Sequence, residues 1–280
     1  MKWNAYWRLM RFDKPVGILL LWYPTAWALW LANKGIPTLK LLVFFLCGTI
    51  LMRAAGCVIN DIADRNIDKH VERTKLRPLT AGEVTLPEAF LLLIILLLAA
   101  FFILIQLPRN CFYLGLIALF ISLLYPFCKR FLDAPQLVLG LAFSMGIPMA
   151  YVASNQFLNN ECFLLFLINF SWILSYDTMY AMADKADDLR IGVKSTAIYF
   201  ANYDRMIIGL LQCSFHSLWL CWAFMNQINE SFYMFWFIAG LILVYQQILI
   251  NKRIPRDCFK AFIVSAYYGA SMWMAVCISL

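Results

Sequence analysis

Charge is what this sequence has least of. Only 14% of its 280 residues are Asp, Glu, Lys or Arg, and 63% are hydrophobic; soluble chains carry roughly 25% charged and 45–50% apolar residues. Mean hydropathy is +0.73. These values exclude a soluble globular domain, a disordered chain and a coiled coil. Histidine is nearly missing, with His70 and His216 alone, which argues against a zinc centre. Cysteine occurs nine times, but the number is odd, no CxxC pair is found and most positions fall inside apolar runs. That excludes a disulfide framework and fits reduced, buried small hydrophobes. Strand-like alternation is missing too. Residues 91–102 read LLLIILLLAAFF, a helix facing lipid and not a barrel strand.

What is present is a series of apolar runs near the roughly 20 residues needed to cross a bilayer as helix. Nine qualify: 16–32, 40–59, 88–107, 112–128, 135–153, 161–180, 206–225, 232–250 and 260–278. The connections are short, so one domain over 1–280 is expected. The first run is long, Trp-rich and without a small-residue cleavage site, and it reads as a span and not a cleaved leader. Nineteen of the 23 Lys and Arg residues fall on one side, in the N-terminal segment and the loops after spans 2, 4, 6 and 8. Basic loops stay cytoplasmic, so the N-terminus is expected inside and the C-terminus outside. The +7 net charge is therefore mainly a topology signal and gives little support to nucleic-acid binding.

The acids are more selective than the bases. Nine of the 16 Asp and Glu residues lie in 60–83 and 177–188, both on the cytoplasmic side and both starting where a span ends. The first cluster reads Asn60-Asp61-Ile-Ala-Asp64-Arg-Asn-Ile-Asp68. If span 2 continues as helix at about 100° per residue, Asn60, Asp61, Asp64 and Asp68 share one face. The second reads Asp177-Thr-Met-Tyr180-Ala-Met-Ala-Asp184-Lys-Ala-Asp187-Asp188. There Asp177, Asp184 and Asp188 align, with Tyr180 and Asp187 on the flank. Like charges on one face repel and need compensation. Salt bridges to Arg65, Lys69, Arg73, Lys185 and Arg190 are one answer. A divalent cation is the other, since carboxylates and an Asn carbonyl are hard oxygen ligands suited to Mg²⁺, which binds through one or two carboxylates plus substrate phosphates. Arg73, Lys75 and Arg77 follow the first stripe, Tyr125, Lys129 and Arg130 end span 4, and Lys194 follows the second stripe. Acidic stripes, nearby cations and a greasy interior suit a ligand with a phosphate head and a long apolar tail. Arg53 lies inside span 2, where an arginine needs a partner or a polar cavity.

NDIADRNID resembles the NDxxDxxxD motif of the UbiA superfamily of intramembrane prenyltransferases, and DTMYAMADKADD resembles its DxxYxxxDxxxD motif. The nine spans, the placement of the stripes after spans 2 and 6, and RFDKPVGILLLWYPTAW near the N-terminus extend the resemblance. HVERTKLRPLTAGEV and SYDTMYAMADKADDLRIGVKSTAI are similar to the 4-hydroxybenzoate polyprenyltransferase branch. One departure is AFIVSAYYG near the C-terminus, where that branch carries paired asparagines before the glycine.

The resemblance implies an all-α polytopic membrane protein, with nine transmembrane helices around a central cavity open at the cytoplasmic rim. It implies Mg²⁺-dependent transfer of a polyprenyl group from a polyprenyl diphosphate to the ring carbon ortho to the hydroxyl of 4-hydroxybenzoate. Diphosphate would be released, in ubiquinone biosynthesis at a bacterial inner membrane. Its partners are then the prenyl diphosphate, a small aromatic acid and the lipid bilayer. The metal ligands expected are Asn60, Asp61, Asp64, Asp68, Asp184, Asp187 and Asp188. Arg77, Lys129, Arg130, Lys194 and Tyr125 are expected at the diphosphate. Asp64, Asp68, Asp184, Asp188, Arg130 and Tyr180 are expected at the reaction centre, with Tyr180 and Tyr125 facing the allylic cation. Arg53, with the Arg11–Lys14 segment, is expected at the acceptor carboxylate, and Asp177 or Asp184 as local base. Naphthoate, homogentisate or haem-directed relatives are the nearest alternatives. A CDP-alcohol phosphotransferase pattern is not found, and a transporter would place its polar site near the bilayer midplane.

Overall fold

The computed structural model describes residues 2–280 and, among them, contains helices and no strand. A short helix α1 (Lys2–Leu9) precedes α2 (Val16–Asn33) and α3 (Leu39–Asp64). Then come α4 (Leu86–Leu104), α5 (Arg109–Cys128), α6 (Gln136–Ser144), α7 (Gly146–Ala153) and α8 (Asn160–Ile191). A single turn α9 (Thr196–Tyr199) leads to α10 (Asp204–Met225), α11 (Ser231–Leu249) and α12 (Pro255–Ser279). Nine helical stretches of the described residues are long and apolar enough to cross a membrane. They coincide with the nine expected runs, because in lipid a helix is the structure that satisfies its backbone within one segment.

Three departures from those runs matter. The run over 135–153 is two helices, broken at Met145. Pro148 has no N–H to donate and its ring crowds the carbonyl four residues earlier, at Ser144. The span expected at 161–180 continues to Ile191, so the second acidic cluster is entirely helical. The span expected at 40–59 continues only to Asp64, so Asp68 lies outside it.

α2 is the central helix. Two-thirds of its span is buried within the protein, against 17% for α4 and α5. The outer pair exposes Leu91, Ile94, Ile95, Leu98, Phe102, Ile117 and Phe120, the apolar coat that a lipid-facing surface requires. The inner packing is aromatic. Trp27 of α2 lies 5.2 Å from Trp172 of α8 and 5.3 Å from Trp219 of α10, ring centre to ring centre. Tyr268 of α12 meets Phe215 at 5.3 Å and Trp172 at 6.0 Å. Further out, Gln212 of α10 donates to Gln246 of α11 at 2.9 Å, and Gln246 donates to Ser265 of α12 at 2.8 Å. Interhelical side-chain bonds of this kind hold helices in register where lipid offers no hydrophobic contrast. On the basic side α1 packs Ala5 and Leu9 against Ala54, Ala55 and Val58 of α3.

Candidate functional site

The helices enclose a cavity of about 1220 Å³. Its deeper wall is apolar, with Phe44, Leu97, Ile103, Leu104, Leu116 and Leu119. The charged residues of its lining come from α1 and the segment after it, α3, the loop between α3 and α4, Lys129 just after α5, α8 and Lys194.

The first acidic arm is built from a helix end and a turn. α3 presents Asn60, Asp61 and Asp64 before it stops. The chain then closes a turn, Ile67 N–H donating to the Asp64 carbonyl at 2.8 Å, and Asp68 opens a 3-10 turn over 68–70. The expectation of one continuous helix carrying all four residues is therefore corrected. The folded-back loop accounts for the difference: Thr74 Oγ1 donates to the Asp68 carbonyl at 3.1 Å. Arg77 Nη1 reaches the Asp68 carboxylate at 2.7 Å and that of Asp61 at 3.1 Å. The second arm is regular. α8 brings Asp177, Tyr180, Asp184 and Asp188 to the cavity and ends at Gly192, whose φ of 73° is the left-handed cap that glycine adopts without a Cβ penalty.

Cations from distant segments meet these carboxylates. Arg11 Nη2 donates to both oxygens of Asp61, at 2.8 and 2.9 Å. Lys129 Nζ donates to Asp64 at 3.0 Å. Arg73 donates to Asp184 at 2.9 and 2.5 Å and lies 4.6 Å over the Tyr180 ring. Of the cations expected to pair with the acids, Arg73 does so from the α3–α4 loop, and Arg190 does so within α8, at 3.7 Å from Asp187. Lys185 turns away to Asp204 at 3.3 Å, and Arg65 and Lys69 are exposed. Arg11 was expected at the acceptor and instead pairs with Asp61; nothing in its sequence neighbourhood signals a partner fifty positions away.

The remaining expected residues divide. Arg53, Tyr125 and Lys129 line the cavity, and so does Lys194, whose ammonium is already engaged by Asp133 at 2.7 Å. Arg130 does not line it. It is exposed and donates to the Ala63 carbonyl at 2.9 Å, fastening α5 to the end of α3. Asp187 does not line it either, and accepts from the Glu72 N–H at 3.4 Å, holding the α3–α4 loop against α8. Asp188 and Asp177 line the cavity outside the network of ion pairs.

Burial raises the Asp68 carboxyl above the ordinary carboxylate range, with Arg77 opposing the shift. For Lys129 burial disfavours the charged form, but Tyr125 and Asp64 outweigh it and hold the ammonium above its ordinary range.

Among the described residues, no three acidic, His or Cys side chains converge to hold an ion by themselves. The donor set nonetheless fits Mg²⁺ shared with a phosphate ligand. Asn60 Oδ1 and Asp64 Oδ1 are buried and without a hydrogen-bond partner. Unpartnered buried acceptors are uncommon, and both are the hard oxygen type Mg²⁺ prefers. Chemically, the rim can hold a diphosphate with its counter-ions, and the apolar wall can hold a hydrocarbon chain away from water.

Comparison with known proteins agrees with this arrangement. A family described as the UbiA prenyltransferase family matches residues 21–275. The 4-hydroxybenzoate octaprenyltransferase of Legionella pneumophila (strain Lens) is 66% identical over 278 residues, 99% of each chain. Among solved structures, the apo UbiA homolog from Aeropyrum pernix K1 superposes with a TM-score of 0.79 at 22% identity, covering 91% of this chain and 96% of that one. The UbiA homolog from Archaeoglobus fulgidus bound to GPP and Mg²⁺ superposes with a TM-score of 0.73 at 20% identity, covering 97% and 99%.

Proposed function

This chain belongs to the UbiA prenyltransferase family, and from that premise we propose that its rim and cavity carry out the transfer of a polyprenyl group to 4-hydroxybenzoate. It is a membrane-embedded aromatic prenyltransferase, and the reaction is that of ubiquinone biosynthesis. The octaprenyl group in the relatives' name makes octaprenyl diphosphate the donor of choice. We read 1–280 as one intramembrane domain, with the N-terminus cytoplasmic.

Asn60, Asp64 and Asp68 on one side, with Asp184 and Asp188 on the other, are the residues that would hold Mg²⁺; Asp61 supports them through Arg11 and Arg77. The ion supplies positive charge against the diphosphate that leaves. Arg73, Arg77 and Lys129, paired with these carboxylates when the site is empty, would turn charge-assisted hydrogen bonds toward the diphosphate as Mg²⁺ replaces them on the acids. Those bonds strengthen as charge develops on the leaving oxygen, which lowers the barrier and does not merely tighten binding. Tyr180 and Tyr125 border the same rim and present ring faces to an allylic cation. Asp177, deeper on α8 and unpaired, accepts the ring proton once the carbon–carbon bond has formed. Arg53 meets the acceptor carboxylate. The apolar wall keeps water from the cation. Lys194, tied to Asp133, screens the rim electrostatically, while Arg130 and Asp187 position helices.

The observation that carries this reading is the pair of unpartnered buried oxygens, on Asn60 and Asp64, at the mouth of an apolar chamber. Purified protein in lipid nanodiscs with octaprenyl diphosphate, 4-hydroxybenzoate and Mg²⁺ should yield 3-octaprenyl-4-hydroxybenzoate, and EDTA should abolish it. Product with naphthoate or homogentisate but none with 4-hydroxybenzoate would overturn the acceptor assignment.

A further inference from the structure

An arginine inside a membrane-spanning helix needs a partner or a polar cavity. Arg53 lines the cavity, yet it joins none of the ion pairs around it, and its buried Nε has no hydrogen-bond partner. What holds it is shape. On one side the Phe143 ring of α6 lies 5.7 Å from the guanidinium carbon. On the other side is Gly17, in the first turn of α2. A Cβ at Gly17 would stand 2.4 Å from Nη2, 2.5 Å from Nε and 2.8 Å from Cζ of Arg53. The guanidinium rests directly against the α2 backbone, in a slot that only a hydrogen at position 17 leaves open.

Gly17 is not among the residues with positive φ, so the backbone does not require glycine there; the contact does. At the start of α2 the Ile18 and Leu19 N–H groups already donate to the Pro15 carbonyl, at 2.9 and 3.1 Å, so the guanidinium supplies the charge here, and a cation in an apolar slot without a counter-ion favours an anion.

We propose that Gly17 is a positioning residue for the acceptor: the side chain it lacks fixes where the Arg53 guanidinium sits and so where the 4-hydroxybenzoate carboxylate binds. This rests on the reading of Arg53 as the carboxylate's partner. Gly17→Ala displaces Arg53 and not the helix, because the atoms met are the far end of a flexible side chain and alanine is the better helix former.

The test compares 4-hydroxybenzoate with its neutral analogue 4-hydroxybenzamide in the wild type, G17A, R53A and G17A/R53A, each with octaprenyl diphosphate and Mg²⁺. G17A should raise KM for the acid about tenfold, the scale of weakening one charge-assisted contact. KM for octaprenyl diphosphate and the kinetics with the amide should stay within about twofold, a change of under half a kcal/mol. The double variant should be no worse than R53A. If R53A keeps the wild-type preference for the acid, the role of Arg53 is wrong and the inference falls with it. If R53A loses that preference and G17A keeps the wild-type KM, Gly17 does not position it, and the reading of Arg53 stands. If G17A impairs both substrates equally and further impairs R53A, Gly17 serves the fold and the proposal is overturned.

Discussion

Asp61 is 1% exposed and takes guanidinium contacts from two segments far from it in sequence. Buried carboxylates survive only when paired, and here Arg77 is shared between Asp61 and Asp68. Arg77→Ala removes it and leaves Asp68 buried without a counter-ion. Breaking a buried pair from one side costs about 3 kcal/mol, so the variant should melt lower in detergent. Mg²⁺ should raise its melting temperature by more than it raises that of the wild type, because a divalent ion offsets the exposed repulsion. Equal Mg²⁺ shifts would count against metal binding at these acids. Asp64 keeps one oxygen on Lys129 and one without a partner. Asp64→Asn preserves shape but removes the charge, and turnover should fall by at least about a hundredfold with membrane insertion unchanged. The acids and their spacing were legible in the sequence. Their partners were not, since Arg11 and Lys129 reach them only through folding.

At the scale of helices, α8 does the most for the site. It runs from the opposite face of the membrane to the rim in 32 residues, so one rigid element fixes Asp177, Tyr180, Asp184 and Asp188 relative to one another. Periodicity alone revealed that face. The break at Met145 and the turn that delivers Asp68 were hidden, the first because a proline inside an apolar run is tolerated in membranes, the second because a carboxylate repeat reads as helix whether or not the helix continues. α8 ends at Gly192, where an added Cβ meets nothing within 4 Å. Gly192→Ala should therefore cost only the left-handed backbone penalty, about 1 kcal/mol, seen as a small drop in melting temperature with the acceptor KM unchanged. Asp204, fully buried, ties α8 to the α11–α12 connection through Lys185 at 3.3 Å and Arg253 at 2.7 Å. Asp204→Ala leaves Lys185 and Arg253 with side chains 25% and 39% exposed, able to turn to water, and should destabilise by about 1 kcal/mol; an unchanged melt would show that the clasp contributes nothing.

Over the whole molecule, the basic residues mark one membrane face and the acidic rim lies on that same face. A reporter fused to the C-terminus should be active on the non-cytoplasmic side, and cytoplasmic activity would reverse the assigned orientation. Membrane class, number of spans and the two acidic motifs follow from the order of residues alone, because transfer into lipid and helical hydrogen bonding are properties of a segment about twenty residues long. Which cation meets which carboxylate follows only from packing. So does the exclusion of Arg130 and Asp187 from the cavity, and the slot that Gly17 opens for Arg53. These depend on atoms a few ångströms apart from segments far apart in the chain, and only the assembled helices bring them together.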